Sequence, residues 1–122
     1  MTGPREDVLR FIGSTFRSVW ALELLLLLKG EQKLWSRPDL ITALRASELV
    51  VNKTLDELMA AGLVSLEGEG VRYQPVTEDL RANIREVEKL YAARPDAVRR
   101  VIVASSASEA TAFADAFKLR KE

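Results

Sequence analysis

The hydrophobic positions of the chain repeat mostly with the period of helices, and with the two-residue period of strands in one glycine-rich stretch. From Ser14 to Lys29 the residues are good helix formers and apolar on nearly every side, and Gly30 follows as a stop, which predicts a helix in the middle of a domain. In "SRPDLITALRA" Ser36 is an N-cap, Pro38 suits the first turn, Asp39 holds the capping-box position, and Leu40, Ile41 and Leu44 share a face. That predicts a short helix over Arg37–Arg45. After a break at Ala46, Ser47 caps a third helix whose Val51, Leu55 and Leu58 have the spacing of one buried stripe, with Gly62 in the C-cap position. Leu63-Val64, a Glu-Gly-Glu-Gly turn and Val71-Tyr73 then read as a small hairpin closed by Pro75.

The remaining third is helical in pattern. From Thr77, the residues Leu80, Ile84, Val87 and Tyr91 form one apolar stripe, with Leu90 beside it and charges elsewhere. Such a helix needs a partner surface. Asp96–Ala104 and Ser108–Leu119 read as two further helices, the last with Phe113 and Phe117 one turn apart. There is no internal repeat or low-complexity tract, and 122 residues make one domain able to bury roughly two-thirds of its unfolded surface.

Composition narrows the chemistry. The 48% apolar and 30% charged content is that of a globular protein. The chain has no Cys and no His, which removes thiolate ligands, the commonest metal ligand and the commonest general base; neither an enzyme, a metal site nor a cofactor is expected. "MTGPREDVLRFIG" lacks the uninterrupted apolar core of a secretory signal. "VWALELLLLL" is shorter than the about 20 residues a bilayer requires and carries Glu23, so a cytoplasmic protein without a membrane span is expected.

Two helices, a tight turn, a helix and a glycine-tipped hairpin follow the order of a winged helix. The stretch "ASELVVNKTLDELMAAGLV" resembles the recognition-helix region of ArsR-type and MarR-type bacterial transcriptional regulators. The resemblance spans about Val19 to Pro75, and its most specific part is Ser47, Val51, Leu55 and Leu58 followed by Ala61-Gly62-Leu63-Val64. It implies a mainly α fold with a small β-hairpin wing, a winged helix-turn-helix over about 19–75, followed by C-terminal helices over 77–122. It also implies double-stranded DNA as partner and a role in transcription control.

With Val51, Leu55 and Leu58 inward, Leu49, Asn52, Lys53 and Asp56 share the outer face. Asn52 suits adenine, Lys53 guanine or phosphate, and Leu49 a thymine methyl, whereas Asp56 fits badly beside phosphate. Arg45, Ser47 and Glu48 border that face, and Glu67, Glu69 and Arg72 lie on the wing. Over Ser36–Gln74 the four cations Arg37, Arg45, Lys53 and Arg72 stand against six carboxylates: Asp39, Glu48, Asp56, Glu57, Glu67 and Glu69. The whole chain is neutral, with 18 basic and 18 acidic residues. The reading that uses these acids is a winged-helix module docking a basic protein partner.

The stripe Leu80, Ile84, Val87, Leu90 and Tyr91, with Phe113 and Phe117, points to a homodimer through the terminal helices, or to core of the same chain. The terminal "KLRK" could grip DNA backbone, though chain ends are commonly solvated tails. Trp20 and Trp35 are expected to pack in the core, and "EVEKLYAARP" to be a solvated charged face.

Overall fold

The computed structural model describes residues 4–105. It begins with a helix absent from the sequence expectations, α1 (Pro4–Thr15), which has proline in its first position and Glu6 and Asp7 in its first turn. Phe16 then drops into the core, 1% exposed, and meets Phe11 edge-on at 6.5 Å. The chain bends by 106° into α2 (Val19–Gly30), whose cap is Ser18: its Oγ accepts the Ala21 N–H at 3.2 Å. The helix expected from Ser14 is therefore two, because Phe16 is buried at the break and Ser18 satisfies the first turn of the second.

Ala21, Leu22, Leu24, Leu25 and Leu28 of α2 are buried, and the helix packs on α3, α4 and β3, introduced next. Strand β1 (Trp35–Ser36) leads directly into α3 (Arg37–Leu44), capped as expected by Ser36, which accepts the Asp39 N–H at 3.2 Å. Arg45 ends α3 in the left-handed region at φ 55°, and the Ala46 N–H reaches back to Ile41 O at 3.3 Å. This is the tight turn before α4 (Glu48–Ala60), where the Ser47 Oγ accepts the Val50 N–H at 3.1 Å. Val51, Leu55 and Leu58 are buried, joined by Thr54, whose hydroxyl donates to Val50 O at 2.6 Å and so needs no other partner.

Gly62 follows the cap residue Ala61 with φ 75°, the Gly62 N–H bonding Met59 O and the Leu63 N–H bonding Leu58 O. The pair of bonds is a Schellman motif, and it turns the chain into the sheet. Strands β2 (Val64–Glu67) and β3 (Gly70–Tyr73) form a hairpin with Glu67 opposite Gly70, so that Gly68, at φ 63°, and Glu69 make a two-residue turn. β1 pairs antiparallel with the other edge of β3, giving the order β1-β3-β2. The molecule is thus mostly helical with a small three-stranded antiparallel sheet, an arrangement compatible with a winged helix-turn-helix.

Thr77 caps α5 (Glu78–Ala93), and a further helix, α6, runs over 95–105 with Val98 and Ile102 buried. The stripe on α5 finds its cover inside the chain. Ile84 and Val87 are each 0% exposed, Leu80, Leu90 and Tyr91 are half-buried against the core, and α1 packs along α5. Ile84 and Val87 are therefore core rather than contact surface for a second copy. The reason is α1, whose Val8, Leu9, Phe11 and Ile12 belong to the same cluster. Phe113, Phe117, their expected helix and "KLRK" lie outside the described residues.

The burial of α4 ranks its side chains. Leu55→Ala is expected to cost roughly 2–5 kcal/mol, while Leu49→Ala, at a position 77% exposed, is expected to stay within about 0.5 kcal/mol. Urea unfolding midpoints of the two variants check the order.

Candidate nucleic-acid interface

The α3–α4 turn, the outer side of α4 and the hairpin hold the residues singled out from the sequence. Leu49 is 77% exposed, and Glu48, Lys53 and Asp56 are exposed with it, as the helical phase requires. Among the described residues no carboxylate pairs with Lys53 or Arg45. Ser47 is committed to capping, so its hydroxyl belongs to the helix start. Glu48, in the first turn, sits where the helix dipole favours an anion.

Asn52 differs from the solvated position that spacing alone suggests. It is half-buried, and its Oδ1 accepts a hydrogen bond from Nη1 of Arg37 at the start of α3. Arg37 entered the sequence analysis only as a charge. Its partner lies fifteen residues away on another helix, so no local pattern announces the contact.

On the hairpin, Arg72 Nε is paired with Glu67 Oε2, and Glu69 is exposed at the tip. The register explains the pair. Glu67 lies opposite Gly70, which makes Arg72, two residues further on, its diagonal neighbour on the same face. The one cation of the wing is thereby neutralised in place, and what remains outermost there is acidic.

Behind this surface, two contacts cross from α2 to α5. Lys29 Nζ lies 2.7 Å from Glu88 Oε1, and the Tyr91 hydroxyl donates to Glu23 Oε1. Trp35 packs as expected, 6% exposed, with its indole N–H on Glu31 O at 2.8 Å. Trp20 does not: it is 43% exposed and lines a hollow of about 420 Å³ with Val19, Glu23, Ala43 and Leu44. An aromatic on an apolar run gave no signal of this, because α2 keeps one side half-buried. No group of three or more acidic, His or Cys residues among the described ones could hold a metal ion.

No single helix among the described residues is long and apolar enough to cross a membrane. No family model matches the chain, and neither a curated protein nor a solved structure is significantly similar to it.

Burial raises the Tyr91 hydroxyl above the ordinary phenol value of 10.0, reinforced by its hydrogen bond to Glu23 and by that carboxylate's charge, with Arg99 opposing. Tyr73 is raised chiefly by burial too, Glu88 adding and Arg81 and Arg85 opposing. The folded state thus holds these protons more tightly than the unfolded chain. The stability this provides is complete below about pH 10 and is lost as pH rises through the folded values. Tyr91→Phe is expected to lower stability by about 1 kcal/mol at neutral pH through the lost hydrogen bond. The gap to wild type should narrow above about pH 10. Urea midpoints on either side of that pH measure both effects.

Proposed function

We propose that the protein is a winged-helix DNA-binding protein of bacterial-regulator type, with α4 as the helix that enters the major groove. The observation carrying this is the single exposed face of α4, set between a tight turn and a hairpin. One side of the helix, Val51, Leu55 and Leu58, is buried, while Leu49, Lys53 and Asp56 stand outward beside Arg45. A helix presented in this way can offer its first turns to base edges while the turn and hairpin meet backbone. Arg37, Arg45 and Lys53 are the cations within this surface that can replace counterions on phosphate.

A homodimer belongs to the same proposal. Doubling a set of few cations is the simplest way for a neutral chain to hold a duplex, since salt-dependent affinity grows with each phosphate neutralised. Light scattering at tens of micromolar is expected to give twice the 13.6 kDa chain mass; a monomer mass counts against the dimer.

The second reading, docking of a basic protein, is favoured by the pairing of Arg72 with Glu67 and by the exposed Glu48, Asp56 and Glu69. A charge swap separates the two. With phosphate alongside, Asp56→Lys removes a repulsion and adds a cation, so duplex affinity should rise and fall more steeply with salt, and Lys53→Ala should do the reverse. With a basic protein alongside, Asp56→Lys weakens the complex and neither variant binds duplex. Fluorescence anisotropy with a labelled duplex at two salt concentrations is the measurement. No binding by wild type at low salt, and none gained by Asp56→Lys, rejects the DNA reading.

A further inference from the structure

Arg37 and Asn52 meet where the start of α3 approaches the second turn of α4, both half-buried, with Arg37 Nη1–H donating to Asn52 Oδ1. A guanidinium carries five N–H donors and no acceptor, so an amide can meet it only through its oxygen. The Asn52 Nδ2 group, with two donors, is left without a hydrogen-bond partner among the described residues.

That contact changes which base the asparagine suits. A free asparagine reads adenine with both ends of its amide, accepting from N6–H and donating to N7. Here the oxygen already serves Arg37. Its second lone pair lies beside a full positive charge, where the positive edge of an adenine amino group is unwelcome. Guanine presents acceptors at both O6 and N7. It would meet Asn52 Nδ2, the unused N–H groups of Arg37 and the ammonium of neighbouring Lys53, all of them donors.

We propose that the Arg37–Asn52 pair makes the outer face of α4 a donor-only reader that selects guanine over adenine at one position of a bound duplex. The inference rests on the DNA-binding reading and deepens it by naming a base.

The test uses the full 122-residue chain and the variants Arg37→Ala, Asn52→Ala and Asn52→Asp. Each selects duplexes from a randomised pool, and anisotropy with a random duplex at low salt is run separately. Wild type should enrich guanine over adenine at one position by roughly 5- to 100-fold. Arg37→Ala frees Oδ1 and should move that position to adenine. Asn52→Asp and Asn52→Ala each remove the Nδ2 donors while Arg37 and Lys53 keep theirs, so both should weaken the guanine preference at that position and leave other positions unchanged. Circular dichroism melts verify folding, and Asn52→Asp keeps a partner for Arg37, so it serves if Arg37→Ala fails to fold. Adenine enriched by wild type, or guanine preferred as strongly by the folded variants as by wild type, overturns the inference with DNA binding intact. Absence of any duplex binding in the anisotropy arm overturns the DNA-binding reading and the inference together.

Discussion

The fold depends on keeping water from the inner face of α2. Leu22, Leu24, Leu25 and Leu28 are each 0% exposed, and a fully buried leucine stabilises by roughly 1.5–3 kcal/mol. A surface ion pair contributes about 0–1 kcal/mol, so the exposed pairs of this protein decide little beside that helix. α3, α4 and β3 cover one side of it. Its two charged side chains, Glu23 and Lys29, are met by Tyr91 and Glu88 of α5. A charge placed on an apolar helix is tolerable only with such partners, because burying it alone is costly. The candidate interface inherits its rigidity from this arrangement: α4 is packed on α2 along its inner stripe, which leaves its outer side in a defined direction.

What could be read from the chain was chemistry that acts over a few residues. Ser36 and Ser47 each cap a helix by accepting an N–H three residues on, and Gly62 takes the positive φ that a Schellman ending needs. The inward phase of Val51, Leu55 and Leu58 followed from spacing alone. α1 escaped notice because its opening turn is charged and its apolar residues are interleaved with Arg10 and Gly13. Without α1 the α5 stripe has no visible partner, which leaves a second copy and core of the same chain both open. The break near Phe16 is marked locally only by Ser18, a capping residue like Ser36 and Ser47, and the core receiving Phe16 decides that the helix ends there.

The site was legible in its backbone and not in its pairings. Leu49, Lys53 and Asp56 stand exposed as their spacing implies, whereas Asn52 is half-buried, and whether each is free depends on helices crossing and strands in register. Arg37 reaches Asn52 across a helix pair, and Glu67 reaches Arg72 across a hairpin diagonal. The charges over Ser36–Gln74 are not equally available. The structure separates them: Arg72 is spent on its neighbour, Arg37 is shared with an amide, and Arg45 and Lys53 remain open among the described residues.

The two contacts between α2 and α5 run in opposite senses along the chain, Glu23 to Tyr91 and Lys29 to Glu88. Shifting α5 by one helical turn, about 5.4 Å, would separate both pairs together. α5, packed along α1, is thereby also tied to α2 at two points. α6 begins two residues beyond its end, at Pro95, so the chain turns into its next helix just past a segment tied to the helix that also supports α4.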